Sequence, residues 1–204
     1  VSEDSRIFLQ ALVHYHGDYR VTPMYLGVSL NAVEGRDYLA SLKALYLQQR
    51  RWAWGVEHFP YMMEKFSADR LMPLALKLKF LFFHLEGMYT WAVAPILIFM
   101  LGRLPQAAAR NSHDALTLLA PHTLGIILQL SMIGVLASAI ISFFLLPHPR
   151  RPADKLFYPI MVLQWLLLPF TFTLFGAFPA IDAQTRLMLG KYLGFNVTIK
   201  GSGK

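Results

Sequence analysis

No cysteine occurs in the 204 residues. That absence removes disulfides, iron–sulfur ligation and thiolate catalysis from the functions open to the chain, and leaves either redox compartment open. Charge is sparse: 15% of residues are Asp, Glu, Lys or Arg, and acids are the scarcer sign, 12 against 19 basic residues, for a formal net charge of +7. Nucleic-acid binding would need that excess on a polar face. Here the basic residues flank apolar segments, which fits anionic lipid headgroups and a phosphorylated substrate better, so no nucleic-acid partner is expected. No internal repeat is visible, and His14-x-His16 has neither a strong helical metal spacing nor a third ligand, which argues against zinc. The chain begins at Val1 with no initiator Met and no signal peptide, so it is expected to be the C-terminal part of a larger protein.

What is abundant is apolar sequence: 55% of residues are hydrophobic, with a mean hydropathy of +0.42. The excess is concentrated after about residue 80. Two runs, roughly 80–102 and 124–146, are each about long enough to cross a bilayer as helices. The second carries small residues at Gly134, Ser138 and Ser142, a spacing that lets helices approach closely. A third run, roughly 156–181, is interrupted by Pro169, Gly176 and Pro179. The basic loop from Pro147 to Lys155 and the Arg70, Lys77 and Lys79 region are expected on the cytosolic side. His84 and Glu86 sit at or inside the first span, where polar groups line a cavity or snorkel to the interface.

Before these runs, Ile7 to Tyr15 reads as a helix capped by Ser2 or Asp4 and ended by Gly17-Asp18. Residues 20–30 favour an extended strand, with Pro23 placing it at an edge. A long amphipathic helix is expected from near Asp37, with Pro60 kinking or ending it and Ser67 capping the next helix. Its two-faced character suits the membrane interface. It contains the cluster Gln48-Gln49-Arg50-Arg51-Trp52. Gln48, Arg51 and Trp52 fall at i, i+3 and i+4 and share one helix face. An amide hydrogen-bonds hydroxyls, a guanidinium holds phosphate and an indole stacks on a sugar ring, so this face suits a phosphate-bearing sugar. The bland alternative is a membrane anchor, and Arg50 and Trp54 in particular are expected to serve as interface anchors. Glu57 and His58 read either as a pair supporting an acceptor path or, as the favoured alternative, as solvated interface residues, and Asp4 on spacing alone reads as an ordinary helix cap or first-turn acid.

Three elements in order resemble membrane-integrated family 2 glycosyltransferases, the group that includes cellulose, chitin, hyaluronan and poly-N-acetylglucosamine synthases. Ser2-Glu3-Asp4 is similar to that family's Thr-Glu-Asp, and Gln48 to Trp52 matches its Gln-x-x-Arg-Trp. Phe195-Asn196-Val197-Thr198-Ile199-Lys200 resembles its Phe-x-Val-Thr-x-Lys gating loop. The resemblance implies a mainly α membrane protein: a remnant of an α/β glycosyltransferase domain, an amphipathic interface helix, then two to three transmembrane helices. Residues 1–35 would be the C-terminal edge of the catalytic domain, 36–79 the interface helices with the Gln-x-x-Arg-Trp motif, 80–181 the transmembrane region and 182–204 a cytosolic tail with the gating loop.

The same resemblance implies roles. Asp4 would be the general base on the acceptor hydroxyl, and Glu3, Gln48, Arg51 and Trp52 would bind donor and acceptor. Within that set, Arg51 would hold the diphosphate, Trp52 would stack on the acceptor sugar and Gln48 would orient hydroxyls or the indole. Phe195, Val197, Thr198 and Lys200 would close over the nucleotide phosphates. The activity would be inverting hexosyl transfer from a nucleotide sugar, with UDP-sugar as the expected donor, to a polysaccharide or glycolipid acceptor. It would take place on the cytoplasmic face of a multi-pass inner-membrane protein, in polysaccharide synthesis and export. Mg²⁺ or Mn²⁺ is implied for the full-length enzyme, but the family's Asp-x-Asp is absent from this sequence and no metal ligand in it is named. That ligand pair and the nucleotide-binding core would belong to an upstream catalytic domain, so this segment alone is expected to transfer no sugar. If 156–181 crosses the membrane fully, Thr198 and Lys200 fall on the side away from the donor; a re-entrant or interfacial segment keeps them with it. The competing class is a non-catalytic transport or scaffold module of an envelope pathway.

Overall fold

The computed structural model describes residues 3–28, 33, 35–108, 115–145 and 157–194. These are mostly helical. The helices are α1 (Glu3–His14), α2 (Tyr38–Ala53), α3 (His58–Ala68), α4 (Leu74–Ala108), α5 (Ala115–Leu145), α6 (Phe157–Leu166), α7 (Leu168–Phe172) and α8 (Phe178–Met188). A 3₁₀ turn, Trp54–Glu57, joins α2 to α3, and a π turn, Thr173–Ala177, joins α7 to α8. The chain divides into two units, residues 1–94 with 174–204, and residues 95–173.

Local chemistry sets most helix ends in the first unit. Asp37 is extended and its carboxylate accepts from the Ala40 backbone N–H at 2.7 Å, which starts α2 where expected. After α1 the chain passes through His16 (φ 51°) and Gly17 (φ 93°), and the Gly17 N–H reaches back to the Leu12 carbonyl at 2.8 Å. That left-handed pair is the signature of a glycine-terminated helix. Pro60 does not end the long helix. It sits in the first turn of α3, where its missing N–H costs no intrahelical bond. The break comes earlier, as the 3₁₀ tightening at Trp54–Glu57. Ser67 caps nothing downstream: its hydroxyl donates to the Glu64 carbonyl inside α3. Asp69 takes that place, accepting from the N–H groups of Leu71 (2.8 Å) and Met72 (3.1 Å), with Pro73 leading into α4.

The expected strand over 20–30 is not formed. Residues 20–28 lack regular structure, residues 29 and 30 lie outside the described residues, and no strand occurs among the described residues. Val21, Tyr25 and Val28 are strand-favouring residue types but are all exposed, Tyr25 at 94%. A strand needs a ladder partner for its backbone groups, and among the described residues no strand is present to provide one.

Two small cores hold the first unit. Leu9 and Leu12 of α1 bury against Met62 and Phe66 of α3, with Met72 closing the cluster. Each such side chain contributes about 1.5–3 kcal/mol relative to exposure. The second core is built from Ala53, Trp54, Ala92, Ala180 and Ala183. The three alanines on α4 and α8, with Ala53, let helices approach closely around the indole of Trp54. Polar links reinforce it. Arg50 donates to Asp182 at 2.8 Å, Arg186 to Asp182 at 2.7 Å, and Gln184 Nε2 to the Met88 carbonyl at 2.9 Å. Burial alone would raise the Asp182 carboxyl, but the hydrogen bonds from Arg50 and Arg186 outweigh it and hold it below the usual carboxylate range. Asp182→Ala is expected to cost about 2 kcal/mol, between the surface and fully buried limits for ion pairs. Thermal unfolding in detergent checks this, and combining the change with Arg50→Met should recover part of the loss.

Among the described residues, two helices are long and apolar enough to cross a membrane, over Leu74–Ile98 (25 residues) and Gly125–Leu145 (21 residues). Hardly any of either is covered by protein, 6% and 0%. A core helix of a water-soluble domain would be largely buried, so this exposed apolar surface points to membrane association. In the second unit, Ile133, Leu136, Ile140 and Phe144 stand open, and nothing lies within 4 Å of where a side chain at Gly134 would project. The third apolar run is not one helix. It is divided among α6, α7, the π turn and α8, and prolines open α7 and α8.

Candidate functional site

The first unit contains a cavity of about 480 Å³, within the range of small-molecule sites. Four stretches of chain wall it. The first turn of α1 supplies Glu3, Asp4 and Ser5, with Phe8 and Leu9 one turn further. The last turn of α2 supplies Arg51 and Trp52, followed by Gly55 of the 3₁₀ turn. His58 and Met62 come from α3, and Phe80, Phe83, His84 and Met88 from α4. The α1–α3 core fixes the first wall against the third, and the 3₁₀ turn redirects the chain so that the end of α2 and the start of α3 face one space.

The cavity is graded. Glu3, Asp4 and Trp52 are exposed, Trp52 at 52%, and form its open side. Leu9, His58 and Met62 are buried and form its inner side. The acids stand at a helix N-terminus, whose partial positive charge favours carboxylates there. The same space therefore offers two carboxylates, a guanidinium, an indole face and, deeper, two imidazoles among aromatic and thioether side chains.

Of the residues singled out from sequence, Glu3, Asp4, Arg51 and Trp52 line this one cavity. Gln48 does not. It is half-buried one turn earlier on α2, a rise of about 5 Å that carries it past the cavity wall. Phe195, Val197, Thr198 and Lys200 lie outside the described residues. Among the described residues no group of three or more His, Asp or Glu converges as a cation site.

Three expectations are corrected. Arg50 is not a lipid-interface anchor: it faces α8 and pairs with Asp182. Trp54 is 2% exposed, donates from Nε1 to Glu57 Oε2 at 2.9 Å and meets Tyr192 edge-on. His58 is not solvated but 2% exposed. Burial, then the positive field of Arg6, pushes its pKa down to about 4, so it is neutral at neutral pH. The signal for His58 lay in the sequence: His58, Met62 and Phe66 recur at i, i+4 and i+8, the period of a buried stripe. Asp182 was missed as well, and its i, i+4 relation to Arg186 was the available sign.

Compared with protein-family models, with curated proteins and with solved structures, the chain matches none.

Proposed function

We propose that this chain is the acceptor-side and membrane part of an inverting family 2 glycosyltransferase that elongates a polysaccharide or glycolipid from a nucleotide sugar. The observation that carries the reading is the single cavity bordered by Glu3 and Asp4 from α1 and by Arg51 and Trp52 from the end of α2. Those are two of the three elements on which the resemblance rests. They are 47 positions apart between Asp4 and Arg51 (51 − 4). An unrelated helix cap and an unrelated membrane anchor have no reason to share a wall.

In this reading the acceptor hydroxyl enters from the open side and donates its hydrogen to Asp4. Its oxygen attacks the anomeric carbon of the donor from the face opposite the diphosphate. The carbon–oxygen bond to the phosphate breaks, the nucleoside diphosphate leaves with the electron pair, and the proton ends on Asp4. Arg51 offsets the charge that grows on the departing phosphate oxygens, and its planar fork suits them. Trp52, half exposed at the rim, provides a flat face for the acceptor ring. Residues 1–35 would then close a donor-binding domain upstream. The divalent ion implied by the family would be held there, and would supply further neutralisation of the diphosphate. The two apolar helices would anchor the site at the inner leaflet, with catalysis on its cytoplasmic side.

The test is a donor panel. The full-length protein in lipid nanodiscs, given radiolabelled UDP-sugars and Mg²⁺ or Mn²⁺, is expected to transfer label to an acceptor, while the 204-residue segment alone transfers none. A folded, membrane-inserted full-length protein that incorporates no label from any nucleotide sugar overturns the proposal and leaves the transport or scaffold role.

A further inference from the structure

Three buried imidazole nitrogens have no partner: Nδ1 and Nε2 of His58, and Nε2 of His84. Both histidines line the cavity, with ring centroids 6.0 Å apart and planes tilted by 47°. His84 spends its other hydrogen-bonding capacity on the Gly55 backbone. Native interiors seldom leave buried polar atoms unpaired, and those without a protein partner are completed by ordered water or by a bound ligand. His58 is 98% covered (100 − 2), and the cavity is the open space on its border.

The surroundings narrow the ligand. Phe8, Phe80, Phe83 and Met62 add apolar surface to the cavity lining, Met62 buried and Phe83 exposed, and the charged lining residues are Glu3, Asp4 and Arg51, which come from the first turn of α1 and the last turn of α2. A neutral imidazole presents one donor and one acceptor. A hydroxyl answers both, because it donates and accepts. A carboxylate or a fully ionised phosphate ester only accepts, so it would oppose the acceptor nitrogen with a lone pair while giving up its hydration. A pyranose ring brings several hydroxyls at its edge and an apolar C–H face for the phenyl rings.

We propose that His58 and His84 form a hydroxyl-reading subsite that takes a neutral pyranose ring, and that this pair selects the acceptor. Naming the ligand as acceptor rests on the glycosyl-transfer reading; the preference for a neutral polyhydroxylated ring does not. The two histidines position and select, while the reacting groups remain at the open side.

The experiment is equilibrium dialysis of the full-length protein in lipid nanodiscs against radiolabelled methyl glycosides, with inorganic phosphate as the anionic counter-probe. At least one neutral glycoside is expected to bind saturably. His58→Phe and His84→Phe should each weaken it about tenfold, the loss of one or two buried hydrogen bonds. Phosphate binding should be unchanged by either. Circular dichroism reports folding, and His84→Phe, at the less buried position, carries the test if His58→Phe does not fold. No glycoside binding, or equal glycoside affinity in folded variants, overturns the subsite, as does a selective loss of phosphate. Two further outcomes separate this from the transfer reading. Glycoside binding that depends on the histidines in a protein with no transferase activity sinks the reading and keeps the subsite. Transfer that depends on Asp4 while the histidine variants leave the acceptor KM unchanged sinks the subsite and keeps the reading.

Discussion

Asp4→Asn in the full-length protein should lower the rate of the proposed sugar transfer by about 10²–10⁴-fold, the usual contribution of a positioned general base. The substitution separates two roles that the position can have. Asp4 stands in the first turn of α1, where an acid also stabilises the helix end. Asn keeps the size of the side chain and loses only the charge–dipole term of about 0.3–1 kcal/mol. If Asp4 is only a helix-start residue, the variant therefore keeps both fold and activity. If Asp4 takes the hydroxyl proton, the amide cannot, and the rate collapses while donor KM and the melting curve stay near wild type. Arg51→Lys sharpens the result. It keeps a positive charge in the cavity wall but loses the bidentate fork, so transfer should fall by at least tenfold with the helix content unchanged. Initial rates with radiolabelled UDP-sugar, alongside circular dichroism, make the measurement. Wild-type rates in Asp4→Asn would remove the base from the mechanism.

Most of the helices could be read from sequence because their causes are local. The cap at Asp37, the glycine-terminated end of α1 and the length of two apolar runs each depend on a few neighbouring residues. Failures came where a distant partner decides. Val21, Tyr25 and Val28 favour a strand by residue type, but a strand forms only against another strand, and none occurs among the described residues. Arg50 and Trp54 have the composition of an interface belt, yet α8 packs along α2 and takes both into the protein. Nothing in the 40s or 50s of the sequence announces a carboxylate at position 182.

The candidate site divides the same way. Arg51 and Trp52 were legible as a pair from helical spacing, and Asp4 as an acid at a helix start. That these groups border one space was not legible from spacing, because α1 reaches the end of α2 only through the α1–α3 core. The inner wall was hidden for a different reason. His58 follows Glu57 in a stretch that also holds Trp52, Trp54 and Lys65, and a histidine in that company reads as an interface residue. Only its place on the stripe of Met62 and Phe66 reveals that it faces inward.

That inward placement makes the protein acid-sensitive well above the carboxylate range. In the folded chain the pKa of His58 lies at about 4, lowered first by burial and then by Arg6. In the unfolded chain a histidine titrates at about 6.5. Between these values the unfolded chain binds a proton that the folded chain refuses, so stability is complete above about pH 6.5 and declines as the pH falls toward 4. At about 1.4 kcal/mol per pH unit of displacement, the full loss approaches about 3 kcal/mol. Asp182 works in a separate window. Its carboxyl is held low by Arg50 and Arg186 against the effect of burial, so its contribution persists at pH values above the ordinary carboxylate range and disappears only below it. Unfolding midpoints in detergent at pH 7.5, 6 and 5 should therefore fall with acid in the wild type, keep falling in Asp182→Ala and lose that part of the slope in His58→Phe. A wild-type stability that stays flat between pH 7 and pH 4.5 would mean that His58 reaches solvent or a compensating acid, and would remove the neutral imidazole on which the inner wall of the cavity depends.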